Sequence, residues 1–297
     1  MKLKKLLLYS LLSLNTLGLV ACNKPVNQQQ LATSEAELLY AQGERYYLGE
    51  SAPQDYQKAF KLFEQAANKG SAIAQNNLGA MYFKGLGTEK NDELAFKWLT
   101  KAAAQNFAEA QYNLGVMYNE GFFIAKDKTK AIALFSKAAD QNFALAQFNL
   151  GTAYANGDGV TQDEKKAFDL YTKAADQNFA QAQFNLANFY ANGTGIIKDK
   201  KKAFDLYVKA ADQNFAQAQF NLAYMYQYGE GVQKDQNKAL ALYYKAAEQD
   251  LPEAQNNLGY IYVNILNDKV KAKYWFEKAS ENGYADATQA LEELNNK

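Results

Sequence analysis

The dipeptide Ala-Gln recurs at Ala74-Gln75, Ala110-Gln111, Ala146-Gln147, Ala182-Gln183, Ala218-Gln219 and Ala254-Gln255, each time 36 residues on. Every copy continues into Asn, Leu and Gly or Ala, then a tyrosine: Tyr82, Tyr118, Tyr154, Tyr190, Tyr226 and Tyr262. A fixed period of this size marks a solenoid, in which each unit buries its apolar face on its neighbours. The frame runs back to Tyr46, Ala59 and Phe60. It runs forward, with three residues deleted from the loop, to Ala287. The pattern predicts seven helix pairs over residues 34–297, closed by an unpaired capping helix near 284–296.

Each unit reads as two helices. The first carries A-Q-x-N-L-G/A-x-x-Y and ends in a glycine-bearing turn such as Gly157-Asp158-Gly159. The second carries Ala-Phe-x-Leu-Tyr-x-Lys-Ala-Ala, as in Ala167 to Ala175. Asp55, Asn91, Asp127, Asp163, Asp199, Asp235 and Asp268 stand where the second helix starts. Their side chains can accept the free N–H groups of a first turn, so they are expected N-caps. Gly70, Asn106, Asn142, Asn178, Asn214, Asp250 and Gly283 stand where it stops. Gly and Asn best tolerate the left-handed residue that ends a helix, and Phe107, Phe143, Phe179 and Phe215 follow where a Schellman turn wants an apolar contact.

This pattern, A-x-x-x-L-G-x-x-Y-x-x-G-x-G-V followed by D-x-x-K-A-x-x-x-Y/F-x-K-A-A-x-x-G, resembles the Sel-one-like repeat (SLR), a relative of the tetratricopeptide repeat, over about 38–290. The resemblance implies an all-α, right-handed α-solenoid of helix-turn-helix repeats that serves as an adaptor. Two turns depart from the pattern. Phe122-Phe123 replaces the second turn glycine of the third unit, and Asn264-Ile265-Leu266-Asn267 forms the seventh. Both turns are expected to differ in shape.

The chain of 297 residues has no histidine and one cysteine. That removes Ser-His-Asp and Cys-His catalysis, histidine metal sites, intramolecular disulfides and thiolate zinc sites. Thirty-two basic residues balance 32 acidic ones, which argues against a nucleic-acid binder. The acids at the second-helix starts come one per unit, too far apart to share an ion, so no metal and no cofactor is expected. The Gly-x-Gly turns follow no strand and are not nucleotide fingerprints. Lys101, Lys137, Lys173, Lys209, Lys245 and Lys278 recur among acids and read as a solvated face.

The first 21 residues read as a secretory signal: Lys2, Lys4 and Lys5, then the apolar stretch Leu6–Leu14, which is too short to span a bilayer. Leu19-Val20-Ala21-Cys22 resembles a bacterial lipobox, which implies lipidation (palmitate among the acyl chains) of Cys22 as the first mature residue. A buried helical cysteine is the alternative. Asn23 follows in place of the aspartate that often retains lipoproteins at the inner membrane, so the resemblance points to the outer membrane, facing the periplasm or the exterior. Residues 22–33 read as a polar lipidated tether that reaches at most about 40 Å. Ser34 and Glu37 have capping-box spacing and are expected to open the first helix.

With the Ala of Ala-Gln as position 0, and about 100° per residue, positions 0, 4, 7 and 8 share the core face. Positions 2, 6 and 9 share the opposite face, and there the units differ: Asn76, Tyr112, Phe148, Phe184, Phe220 and Asn256 at position 2, for example. A constant core with one variable face suits a tailored binding surface. The family's first helices line the concave side, so the resemblance implies a groove. Its expected partner-binding residues are Tyr112, Phe148, Phe184, Phe220, Tyr224, Tyr260, Asn188 and Gln227. The alternative for the position-2 aromatics is packing between units. Position 3 is always asparagine (Asn77, Asn113, Asn149, Asn185, Asn221, Asn257), a structural hydrogen-bonding residue first and a peptide-backbone clamp second.

Three functions remain. The first is a lipid-anchored envelope scaffold that binds a protein or peptide, without catalysis. The second is an immunity protein that neutralises an antibacterial effector with the same groove. The third is the β-lactamase-like penicillin binding described for cysteine-rich members of the family. Those relatives staple each repeat with a cysteine pair. Here the mature serines Ser34, Ser51, Ser71, Ser136 and Ser280 start no S-x-x-K motif, which counts against the third reading.

Overall fold

The computed structural model describes residues 28–50 and 53–295. Cys22, the signal segment and most of the tether lie outside the described residues. Every regular element among the described residues is helical: α1 (Gln28–Leu48), α2 (Tyr56–Asn68), α3 (Ala72–Lys84), α4 (Asp92–Ala104), α5 (Ala108–Glu120), α6 (Lys128–Asp140), α7 (Ala144–Asn156), α8 (Glu164–Asp176), α9 (Ala180–Asn192), α10 (Lys200–Asp212), α11 (Ala216–Tyr228), α12 (Gln236–Ala247), α13 (Pro252–Asn264), α14 (Lys269–Glu281) and α15 (Ala285–Asn295). Odd-numbered helices α1–α13 are the first helices of seven pairs, and α15 is the unpaired cap. The array divides into a first unit, residues 1–153 and 157–161, and a second unit, residues 154–156 and 162–297.

The helix boundaries follow from local chemistry. Asp55, Asn91, Asp127, Asp163, Asp199, Asp235 and Asp268 each accept the backbone N–H three residues on, as expected of N-caps. Each of these caps also donates its own N–H to the carbonyl of a repeat tyrosine, from Tyr46 to Tyr262, at 2.8–2.9 Å. All seven predicted stop residues have positive φ, from 59° at Asp250 to 94° at Gly70. The Phe143, Phe179 and Phe215 N–H groups then close Schellman bonds of 3.1–3.2 Å to Ala138, Ala174 and Ala210.

Backbone N–H donors hold the carboxyls of Asp55, Asp127, Asp163 and Asp235 below the ordinary carboxylate value. The unfolded chain therefore takes up protons at higher pH than these caps do. Their contribution is complete above about pH 4 and is lost as pH falls through the lower folded values. Thermal melts are expected to show a drop in melting temperature below about pH 4. Replacing all four with Asn, which caps α4 natively as Asn91, should shrink that drop.

Two expectations are corrected and a third holds. The first helix starts at Gln28, not at the Ser34 capping box, so residues 28–33 of the expected tether are helical. The third turn keeps the shape of its neighbours: Phe123 adopts φ 66°, beside 69° at Gly87 and 75° at Gly159, and its ring lies against Phe96. The seventh turn does differ, with Ile265 at φ −113°.

The core is built from alanine. The position-0 alanines, from Ala74 to Ala254, are fully buried, as are the facing second-helix alanines Ala66, Ala102, Ala138, Ala174, Ala210 and Ala246. A methyl side chain lets helices approach closely while rings fill the gaps. In the second unit, Tyr243, Leu258 and Phe276 anchor one cluster with α15 residues Ala287 and Ala290, and Tyr207 and Leu222 anchor another.

Candidate partner-binding face

Buried amides hold the repeats in register. In the second unit Gln183, Gln219 and Gln255 are almost wholly buried. Each turns its Nε2 back to a second-helix carbonyl, Ala175, Ala211 or Ala247, at 3.1–3.4 Å. Each Oε1 is met from the end of the second helix of its own pair: Gln213 Nε2 donates to Gln183 at 2.7 Å, Gln249 to Gln219 at 2.8 Å, and Asn282 to Gln255 at 3.0 Å, while the Nε2 bonds reach back to the preceding repeat. The glutamine of Ala-Gln is thus a rung of a ladder that crosses repeats. Nothing in the face arithmetic pointed to it. The signal was there in Gln105, Gln141, Gln177, Gln213 and Gln249, which recur with the same period.

The repeated asparagine is likewise structural. Asn77 donates to the Tyr40 hydroxyl, Asn113 to Asn76 Oδ1, and Asn149 to the Tyr112 hydroxyl. In the second unit Asn221 donates to the Tyr207 hydroxyl at 3.1 Å, and Asn257 bonds that of Tyr243. The acceptor has moved between helices. Where position 2 is polar (Tyr40, Asn76, Tyr112), the second helix buries Phe63, Leu99 or Phe135. Where position 2 is Phe184 or Phe220, the second helix supplies Tyr207 or Tyr243. Burial pushes the Tyr112 and Tyr207 hydroxyls up to about 12, opposed by the bonds they accept from Asn149 and Asn221.

These bonds decide where the expected contact residues fall. Tyr112 is only 4% exposed and packs on Phe135 and Phe143, so it belongs to the core of the first unit and not to a surface. Phe148, Phe184 and Phe220 are half-buried. Phe184 lies against Tyr207 and Phe215, and Phe220 against Tyr243, which is the packing alternative. Asn188 and Gln227 are half-buried, with amide oxygens that accept from the Tyr207 and Tyr243 hydroxyls. They position those rings and the helices that carry them.

Tyr224 and Tyr260 are different: each is 43% exposed. They occupy position 6 of α11 and α13, successive first helices, whose axes should pass about 10 Å apart. Tyr228, at 59% exposure, lies with its ring 4.5 Å from that of Tyr224, and Tyr260 sits edge-on to Phe276 at 5.1 Å. Tyr228 was not foreseen, although Tyr224 and Tyr228 are four apart and must share a helix face. At the same position in the first unit, Ala80 and Val116 are buried. The exposed aromatic face therefore belongs to the second unit, on helices pinned by the glutamine and asparagine bonds.

The Sel1 repeat family model matches seven consecutive stretches: 34–71, 72–107, 108–143, 144–179, 180–215, 216–251 and 252–284. The chain belongs to the Sel1-repeat family. Among solved structures it is similar to c5321, a protective antigen of uropathogenic Escherichia coli with an SLR fold, at 34% identity and a TM-score of 0.79 over 93% of this chain. It spans 60% of that antigen's length. It is also similar to a Sel1 repeat protein from Oxalobacter formigenes, at 33% identity and a TM-score of 0.73, over 81% of this chain and 96% of the other. No curated protein matches the chain. A Sel1-repeat array is a scaffold suited to protein interaction. Among the described residues, no cluster of metal-ligating side chains forms, and no helix is long and apolar enough to cross a membrane.

Proposed function

We propose that this protein is an envelope scaffold, lipid-anchored through Cys22 to the outer membrane, that holds a protein or peptide on the first-helix face of its second unit. The observation that carries the reading is the trio Tyr224, Tyr228 and Tyr260, exposed on a frame whose buried glutamines bond back to the carbonyls of the preceding repeat. Tyrosine gives large contact area at low entropy cost and dominates interface hot spots. A frame fixed by cross-repeat bonds keeps such rings pre-organised, which lowers the cost of binding. The variation of positions 2, 6 and 9 supports a tailored surface, and the similarity to a protective antigen supports an envelope location.

The test is affinity recovery after in-cell crosslinking, wild type against Tyr224→Ala/Tyr260→Ala. Each buried hot-spot aromatic contributes about 2 kcal/mol, so the double variant should lose its partner by well over tenfold. Retention of the same partner at wild-type yield would move the site off this face. Cys22→Ser should separately release the protein from the membrane fraction.

A further inference from the structure

The turns that join first to second helices stack along one edge of the second unit. A Cβ on Gly231 would come within 2.6 Å of the Lys200 carbonyl, one on Gly195 within 3.1 Å of Glu164, and Lys200 pairs with Glu230 at 3.1 Å. Along this edge, segments 196–202, 230–238 and 264–274 carry nine lysines against four acids, in a chain of zero net charge. The turns on the opposite edge, 173–181, 209–217, 245–253 and 278–286, carry four lysines against seven acids. The unit is polarised from edge to edge.

The basic edge also projects apolar side chains. Ile197 is 90% exposed and Val270 81%, with Ile265, Leu266 and Tyr274 exposed beside the latter. Other repeats place Lys165, Lys201 and Asn237 at the Val270 position, and Asp169, Asp205 and Ala241 at the Tyr274 position. Val270 and Tyr274 are one turn apart on α14, flanked by exposed Lys269 and Lys273. The acids here are committed: Asp199, Asp235 and Asp268 cap helices and pair with Lys202, Lys238 and Lys271, and Glu230 pairs with Lys200, so the lysines in excess carry the net charge of the edge.

We infer that this edge seats on an anionic lipid surface. Isolated apolar tips set among lysines fit the headgroup boundary, where the tips enter the acyl margin and the ammonium groups stay with the phosphates. A protein partner fits less well, because interfaces between proteins are depleted in lysine. This contact is separate from the tyrosine face and from the lipid on Cys22.

A fluorophore that responds to polarity, placed on the full chain as Cys22→Ser/Val270→Cys, reads the edge alone. Its emission should shift to the blue on phosphatidylcholine vesicles containing roughly one-third phosphatidylglycerol, and not on phosphatidylcholine alone. The shift should weaken with salt, and Lys269→Gln should lower vesicle affinity about fivefold. The same probe at Asp212→Cys, on the acidic edge at the end of α10, should not respond. No shift at residue 270, or an equal shift at residue 212, overturns the inference. A shift with soluble polyglutamate but not with vesicles also overturns it, in favour of an acidic polypeptide.

Discussion

Gln219→Glu is expected to destabilise the protein by about 3–5 kcal/mol, although it exchanges one NH2 for one oxygen. In the native protein Gln219 Nε2 donates to the Ala211 carbonyl and to Asn214 Oδ1, while Oε1 accepts from Gln249. A carboxylate keeps the last bond and turns an acceptor toward two acceptors. It does so at a nearly fully buried position. Desolvation raises the folded pKa of the new carboxyl, so the penalty grows as pH rises from the unfolded value near 4.3. Gln219→Leu removes the same bonds without a charge and should cost less, about 1–3 kcal/mol. Urea unfolding followed by circular dichroism gives the total, and hydrogen exchange in α10 to α12 shows whether the loss is local, as a repeat array requires. A Glu variant within about 1 kcal/mol of wild type would mean that Gln219 is not a rung of the ladder.

Gly259→Ala is the second large effect, and its sign opposes helix propensity. Alanine is favoured over glycine in a helix by about 1 kcal/mol. Here the added Cβ would lie 2.4 Å from the ring of Phe276, which is itself fully buried. Neither the ring nor α14 can yield cheaply, and overpacking costs about 1–3 kcal/mol or more, so a net loss of about 2 kcal/mol is expected. The neighbouring repeat has alanine at this place, Ala223, in one core cluster with Tyr243. Ala223→Gly should therefore also destabilise, by about 1 kcal/mol. Thermal or urea unfolding of the two variants decides the matter. If Gly259→Ala were stabilising, the close packing of α13 on α14 would be wrong.

The sequence made legible whatever depends on near neighbours in the chain. An Asp or Asn reaches the N–H three residues on, and a stop residue needs only its own φ, so the period alone located every second-helix cap and stop. What crosses repeats was less visible. The bond from Gln249 to Asn214 spans 35 residues, and that from Asn149 to Tyr112 spans 37. Tyr112 looked like a contact residue because its face is variable. Its hydroxyl is satisfied from the next repeat, which allows burial. Phe123 looked like a break in the turn pattern, yet the backbone took the left-handed conformation without glycine and its ring packs on Phe96. Tyr224 and Tyr260 stay on the surface because the second-helix residues beneath them, Tyr243 and Phe276, already fill the core.

The central claim is that a protein partner sits on the tyrosine face of the second unit. A photo-crosslinking residue in cells tests it most directly, placed in turn at Tyr224, at Tyr260 and at the exposed second-helix residue Asp205. The account predicts the same discrete protein adduct from positions 224 and 260 and none from 205. An adduct from 205 alone, or none from either tyrosine position, would contradict it.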